Sequence, residues 1–179
     1  MSVSAFFVIL HTNCDEDNMK RYLFSITMAA TLLIGCATQQ QRAERKEMMR
    51  KAVAEAVENR QMHIDIRSMN TLRYGSRTVT PDFYLELKGD TLRSYLPYLG
   101  QAYRAPMASP SEGLNFEARV LTIRESHPKK NLSRLEINIK TNEDSYFYSI
   151  ELYDSGKAYI LVRSQYRDPI GFDGELSDL

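Results

Sequence analysis

Few side chains in this 179-residue chain are of the types that do chemistry, and they are widely spaced. The sequence has two cysteines, Cys14 and Cys36, and three histidines, His11, His63 and His127. Thiols and imidazoles act as nucleophiles, general bases or metal ligands when they stand near one another or near carboxylates. No HExxH or CxxC spacing brings them together, and neither a phosphate-binding loop nor a serine nucleophile elbow occurs. The sequence therefore predicts no catalytic residue, no metal site and no cofactor.

Cys36 stands at the end of an uncharged run. Met19 to Tyr22 gives a short basic start, and Leu23 to Gly35 contains no charged residue and ends in small side chains. This order is typical of a secretory signal peptide. As a helix the run would span roughly 20 Å, less than the ~30 Å hydrocarbon core, so a permanent transmembrane anchor is disfavoured.

The tetrapeptide Leu33-Ile34-Gly35-Cys36 resembles the lipobox of bacterial lipoproteins. The resemblance implies cleavage between Gly35 and Cys36 and attachment of diacylglycerol to the Cys36 sulfur. Two or three acyl chains would hold the protein durably at a membrane, since each buried methylene contributes about 0.8 kcal/mol. The alternative is that Cys36 is a small apolar residue in an ordinary signal peptide or a buried helix.

The segment before Met19 does not fit a signal peptide. Asp15-Glu16-Asp17 puts acid where positive charge is needed, so we expect translation to begin at Met19. The alternative is a genuine leader extension. The predicted divisions of the chain are residues 1–18 as the non-translated or leader extension, 19–35 as the lipoprotein signal peptide, 36–41 as a polar tether and 42–179 as a single globular domain.

The composition of the chain favours an ordinary globular domain. Lys plus Arg and Asp plus Glu each number 23, which disfavours a nucleic-acid partner. Hydrophobic residues make up 43% and charged residues 26% of the chain. Asp168, Asp173 and Glu175 lie close in sequence and could bind calcium or act as an acid pair, but they are more typical of solvated turns.

One helix is predicted from Arg42 to Arg60. Its apolar residues recur at spacings of three and four and form a single stripe. This stripe either covers a sheet or, with the basic residues beside it, lies on anionic headgroups. The stripe consists of Met49, Ala52, Val53, Ala56 and Val57.

Beyond Gln61 the apolar residues alternate, as they do in half-buried strands. The alternating segments are separated by turn residues and by no second helix, which favours antiparallel pairing. We expect an α+β fold of one N-terminal helix followed by a curved antiparallel sheet or partial barrel of about eight strands. The alternating segments lie within residues 62–66, 83–87, 91–96, 114–120, 135–139, 146–152, 158–162 and 170–172.

A segment rich in tyrosine and proline interrupts this alternation. Tyr95, Tyr98 and Tyr103 stand among two prolines and a glycine, and could form a rigid aromatic rim for a ligand or a partner. The alternative is that these tyrosines plug one end of the curved sheet while their hydroxyls reach backbone carbonyls.

The chain resembles Bacteroidota lipoproteins that carry domain of unknown function 4251, over approximately residues 45–176. The family more often has Phe where this chain has Leu99, a change that costs little packing. The resemblance implies an envelope lipoprotein with an antiparallel-sheet domain and implies no activity. It rests on Tyr95 to Gly100 with Tyr103, on Gly113, Leu114 and Phe116, and on Ile170 to Gly174.

These features favour a non-enzymatic binding or scaffolding module anchored by lipid, with an envelope protein, an apolar ligand or a glycan as its partner. The alternative is an envelope-bound, hydrolase-like enzyme with an unrecognised active site. Residues 37–41 lack an acidic export signal, so we expect the outer membrane, facing the periplasm. An open apolar interior would indicate a small-molecule ligand, whereas a filled interior with an exposed aromatic patch would indicate a protein partner.

Overall fold

The computed structural model describes residues 39–103, 113–142 and 144–177. The predicted leader, the signal peptide with Gly35, and Cys36 lie outside the described residues. The chain divides into two compact units, residues 1–45 and 46–179. In the first unit, the described residues 39–45 are helical and exposed. Residues 39–41, which the sequence analysis placed in the tether, therefore belong to the helix.

The described helix, α1, covers residues 39–58. It ends where Arg60 adopts a left-handed conformation with φ of 52°, a common way for a helix to stop. Within the second unit, Val53, Ala56 and Val57 are buried in the hydrophobic core and Met49 packs beside them, whereas Ala52 is exposed. Most of the predicted apolar stripe therefore covers the sheet.

The strands form one antiparallel sheet in which eight strands close into a barrel. Neighbours in sequence are neighbours in the sheet from β3 to β9, and β9 returns to pair with β1. The expected helix and eight-stranded antiparallel sheet are confirmed, and the sheet closes. The strands are β1 (Gln61–Thr71), β2 (Gly75–Thr78), β3 (Tyr84–Lys88), β4 (Thr91–Pro97), β5 (Gly113–Lys129), β6 (Leu132–Lys140), β7 (Ser145–Tyr153), β8 (Lys157–Ser164) and β9 (Ile170–Leu176).

The ninth strand, β2, was not predicted from the sequence. It pairs with the end of β1, while β3 pairs with the start of β1 on the same side. The two are successive parts of one return strand, interrupted around Pro81, whose nitrogen cannot donate a ladder hydrogen bond. All four residues of β2 are exposed and polar or small, so no apolar alternation marked it.

Side chains fill the barrel interior. Most inward-facing residues of β1, β3, β4, β6, β7, β8 and β9 are buried and belong to one hydrophobic core. Its central polar group is satisfied, because the Tyr148 hydroxyl lies 3.1 Å from Ser94 Oγ, which donates to the Leu114 carbonyl at 2.7 Å. The largest fully buried side chains include Tyr148, Phe172, Met62, Ile64 and Ile66.

Candidate functional site

The structure divides the three predicted tyrosines between two places. Tyr95 lies on β4 and its side chain faces outward, because its neighbours Ser94 and Leu96 are buried. Tyr98 and Tyr103 lie in the loop after β4 and converge on Asp168, which lies between β8 and β9. The tyrosines therefore belong to two separate surfaces.

Asp168 is the centre of the first surface. Its carboxylate accepts hydrogen bonds from the Tyr103 hydroxyl at 2.7 Å and from the Gln101 backbone amide at 3.2 Å, and Arg73 Nε lies 3.4 Å away. The Tyr98 hydroxyl donates to the Gln101 carbonyl at 2.9 Å. These five residues, which we call the Asp168 cluster, join the loop after β4 to the β1–β2 turn and to the segment before β9.

The pKa values within the cluster follow from these contacts. Hydrogen bonds from the Tyr103 hydroxyl and then the Gln101 amide, with the charge of Arg73, hold the pKa of Asp168 below its ordinary range. The same bond to a carboxylate raises the pKa of Tyr103. Burial is the main cause that raises the pKa of Tyr98. The resting cluster thus holds one carboxylate and two neutral phenols.

The two tyrosines of the cluster present different surfaces. Tyr98 is half-buried, its hydroxyl is used by backbone carbonyls, and the Arg167 guanidinium lies 5.2 Å from its ring centroid. These contacts match the alternative prediction, in which the tyrosines close one end of the sheet and their hydroxyls bind backbone carbonyls. Tyr103 is 64% exposed, as a rim residue would be, although its hydroxyl is engaged by Asp168. The cluster mainly fastens the loop and leaves one aromatic ring facing solvent.

Tyr95 belongs to a second surface, the outer aromatic patch of Phe83, Tyr84 and Tyr95. The Tyr95 ring centroid lies 5.4 Å from that of Phe83 and 5.7 Å from that of Tyr84. Cross-strand pairing of Tyr84 with Tyr95 fixes this arrangement. His63 extends the patch, because its ring stacks on Tyr84 at 4.8 Å. Tyr95 is 40% exposed, so this part of the patch faces solvent.

Charged residues border the outer aromatic patch. Glu86 lies beside Lys88 Nζ at 2.7 Å, and this hydrogen bond is the main cause that lowers the pKa of Glu86. Arg93 Nη1 lies 3.4 Å from Glu86, and Arg93 Nη2 lies 2.8 Å from Glu117. Glu86 and Glu117 therefore each face a cation at the border of the patch.

The two histidines in the described residues have separate partners. His63 Nε2 lies 3.4 Å from Asp65, and its Nδ1 lies 3.6 Å from Glu86. His127, near the end of β5, lies 3.1 Å from Glu125 and 3.2 Å from the Ser133 hydroxyl. The structure thus assembles a hydroxyl, an imidazole and a carboxylate that sequence spacing did not reveal. The His127 side chain is 64% exposed.

Ser126 and Lys129 have the S-x-x-K spacing of some acylating enzymes. Both lie on β5. Residues three apart are neighbours on a helix face, and a strand lacks that turn. The spacing therefore carries no catalytic arrangement here.

The late acidic residues have separate roles. Asp168 belongs to its cluster, whereas Asp173 accepts hydrogen bonds from Ser68 and Asn70, and Glu175 lies 3.9 Å from Arg67. Within the described ranges, no group of three or more His, Cys, Asp or Glu side chains is arranged to hold a metal ion. In the same part of the chain, no helix combines the length and hydrophobicity needed to span a bilayer.

Residues 44–176 match the profile of a family described as Domain of unknown function (DUF4251). The chain is also similar to the crystal structure of a DUF4251 family protein from Bacteroides eggerthii, with a TM-score of 0.56 and 14% sequence identity. The similarity covers 72% of this chain and 87% of that chain, and at this identity it shows a shared fold alone. No curated protein matches the chain.

Proposed function

Because the chain belongs to the DUF4251 family of domains of unknown function, we propose its function from its geometry: it is a non-enzymatic binding or scaffolding module of the bacterial cell envelope. Lipid on Cys36 tethers it to the outer membrane, facing the periplasm. Its partner is another envelope protein, which it recognises through the outside of the barrel.

The observation that carries this proposal is the filled interior. Inward side chains such as Ile64, Leu87, Ile137 and Ile160 have 0% exposure, so no apolar cavity for a ligand lies between them. Barrels that carry small molecules keep an open lumen instead. Recognition must then take place on the outer surface, which favours a protein partner over an apolar ligand.

The outer aromatic patch and Tyr103 are the surfaces best suited to a protein partner. Tyrosine supplies a large, rigid contact area and loses little side-chain entropy on binding. Tyr95 and Tyr103 are 40% and 64% exposed, and both rings are held by neighbours. A glycan could also stack on such rings, and the experiment below separates the two partners.

Photo-crosslinking in intact cells tests this proposal. A photoreactive amino acid replaces Tyr95 or Tyr103 in separate variants, with exposed Arg124 as the control position. We expect discrete protein adducts from one or both tyrosine positions and none from the control. Adducts of glycan alone, or identical adducts from all three positions, would contradict a specific protein partner.

Substitution of Cys36 tests the proposed lipid anchor. Cys36→Ala should abolish incorporation of radiolabelled palmitate and release the protein from the membrane fraction, because only a thiol at this position accepts the diacylglycerol. Cys14→Ala should leave labelling and fractionation unchanged, because Cys14 precedes the expected start at Met19. Labelling that persists in Cys36→Ala would refute the anchor.

The contact of His127 with Ser133 and Glu125 supports an envelope hydrolase as the second candidate. A catalytic triad gains its power from a low-dielectric site with oxyanion donors, and a largely exposed imidazole lacks that setting. Labelling by a fluorophosphonate probe that Ser133→Ala abolishes would favour the enzyme. We expect no labelling of Ser133.

A further inference from the structure

Strand β5 changes partner partway along its length. It pairs with β4 from Gly113 to Arg119, and its pairing with β6 begins only at Val120. β6 itself ends at Lys140, opposite Ser145 of β7. Over residues 113–119, β5 therefore has a ladder partner on one side only among the residues that the structure describes. We call this segment the open edge of β5.

The register shows which backbone groups face the open side. The Val120 amide donates to the Asp90 carbonyl at 2.8 Å, on the β4 side of the strand. Because backbone groups of alternate residues point to opposite sides of a strand, Phe116 and Ala118 also bond toward β4. Asn115 and Glu117 then direct their N–H and C=O groups toward the open side. Such groups are a template for a further strand.

As far as the described ranges extend, the barrel wall is incomplete beside this edge. The inward residues Phe116, Ala118 and Val120 are only half-buried, whereas most inward residues of the other barrel strands are buried. The Phe116 ring stacks on Tyr146 at 4.9 Å and forms an apolar floor. A groove of about 440 Å³ lies along this edge, lined by β5, by residues 140–142 and by Tyr146. The groove is apolar below and has strand backbone along one side.

Among its described residues, the rim of the groove carries a surplus of positive charge. Arg119 and Lys140 both line it, both are exposed, and neither forms an ion pair with a described residue. The acidic rim residue, Glu117, is already neutralised by Arg93, whose Nη2 lies 2.8 Å away. A carboxylate entering the groove would therefore meet two cations that no described carboxylate pairs with.

We propose that the open edge of β5 binds an extended, acidic segment of the partner protein by strand addition. The segment's backbone pairs with Asn115 and Glu117, and its alternate apolar side chains rest on Phe116 and Ala118. A carboxylate on the other face of the segment lies between Arg119 and Lys140. This inference rests on the proposed binding function and names its partner as a strand with alternating apolar and acidic residues.

Hydrogen exchange of the native protein is the first test. The amides of Asn115 and Glu117 should exchange rapidly, while those of Phe116 and Ala118 are protected by β4. The probe is a short peptide that alternates valine with aspartate, and its addition should protect Asn115 and Glu117. Protection of these two amides without the peptide would mean that the chain itself closes the edge, and would overturn the proposal.

Substitutions at Glu117 separate backbone pairing from side-chain effects. Glu117→Pro removes the amide that faces the open side without taking a hydrogen bond from β4, and it should weaken peptide binding about tenfold. Glu117→Ala is the matched control, because it removes the same carboxylate but keeps the amide, and it should bind nearly as the native protein does. Equal loss in both variants would overturn strand addition. Circular dichroism of both variants establishes that they are folded.

Two further experiments test whether binding depends on acidic charge in the peptide and whether the open edge is the partner site. Lys140→Glu should weaken binding of the acidic peptide, and a peptide with lysine in place of aspartate should not bind the native protein. If neither peptide binds, the open edge is not the partner site. Crosslinks from Tyr95 or Tyr103 to an envelope protein would even so support the proposed function, so the two failures are distinguishable.

Discussion

At the level of single residues, Asp168 connects three segments that are far apart in sequence. Arg73 follows β1, Gln101 and Tyr103 follow β4, and Asp168 precedes β9. Its side chain is only 13% exposed, so solvent screens these contacts less than at an open surface. The ionised carboxylate is therefore an organising group for this end of the second unit.

Replacing Asp168 should destabilise the protein in a pH-dependent manner. The folded pKa of Asp168 is lowered, so its contribution is present above the ordinary aspartate pKa of about 3.9 and is lost as the pH falls through the folded value. Asp168→Asn should lower the melting temperature at pH 7, and the difference from native should shrink in acid. Thermal unfolding of both proteins at pH 7 and at a pH below the folded pKa of Asp168 measures the difference in melting temperature.

Asp82→Asn is the control for that experiment, because Asp82 is exposed in the segment between β2 and β3. It should leave the melting temperature nearly unchanged at both pH values. If Asp168→Asn lowers the melting temperature by the same amount at both pH values, the cluster depends on the shape of the side chain rather than on its charge.

The buried pair of Tyr148 and Ser94 offers a second prediction at this scale. Tyr148→Phe removes one hydrogen bond and leaves no buried donor unpaired, so it should cost about 1 kcal/mol of unfolding free energy. Ser94→Ala leaves the Tyr148 hydroxyl and the Leu114 carbonyl without this partner, and should cost roughly 1–3 kcal/mol. Urea unfolding compares the two. A larger loss in Tyr148→Phe would contradict this assignment of donors.

At the level of elements, α1 is held by its contact with the barrel. Val53 is 1% exposed and Val57 is 4% exposed, although charged residues surround them in sequence. The Arg50 guanidinium also lies 3.7 Å from Asp154, next to the β7–β8 turn. Both side chains of that pair are largely open to solvent, so the apolar contact is the main source of stability.

Val53→Ala should lower the unfolding free energy by roughly 2 kcal/mol, because it removes buried methyl groups and leaves a space behind. The control is Ala52→Ser on the exposed face of the same helix, which should change stability by less than about 0.5 kcal/mol. Chemical denaturation of both variants gives the comparison. Equal stability of the two would show that the helix does not contribute to the core.

The sequence predicted the elements whose apolar residues alternate and missed those that lack this pattern. β2 has four exposed residues and no alternation. β5 was predicted to end at residue 120, yet it continues to Lys129 through largely exposed positions. Its extension is held by pairing with β6 rather than by burial of its own side chains. Cross-strand pairing of this kind cannot be recognised from the sequence of one strand alone.

At the level of the whole molecule, closure depends on a pairing between the first and last strands. Ser68 lies opposite Asp173, and a register shift between Ile66 and Ser68 accommodates the join. A sheet can curl without closing, so the eight alternating segments predicted curvature but could not decide between a partial and a closed barrel. The filled interior follows from closure, and the inference of an outer binding surface follows from the interior.

The candidate surfaces were also predictable only in part, because they combine residues that are distant in sequence. The tyrosines at 95, 98 and 103 stood out as a cluster in sequence, but strand geometry turns Tyr95 outward onto β3 and leaves the other two in the loop. Asp168, their shared partner, lies about 65 residues later in the chain. Contacts at such separations are set by topology, which spacing does not encode.

Phe172 tests whether this closure stabilises the whole molecule. It is fully buried on β9, opposite Met69 of β1 and Ile160 of β8, so its ring lies at the closing seam. Phe172→Ala should lower the unfolding free energy by about 3–5 kcal/mol, a large share of the roughly 5–15 kcal/mol that stabilises a domain. Glu175→Ala on the same strand is the control, because that side chain is 55% exposed.

If the barrel is one cooperative unit, urea unfolding of Phe172→Ala should remain a single transition, seen at the same midpoint by near- and far-ultraviolet circular dichroism. Separate midpoints would show instead that the seam opens while the remaining strands stay folded.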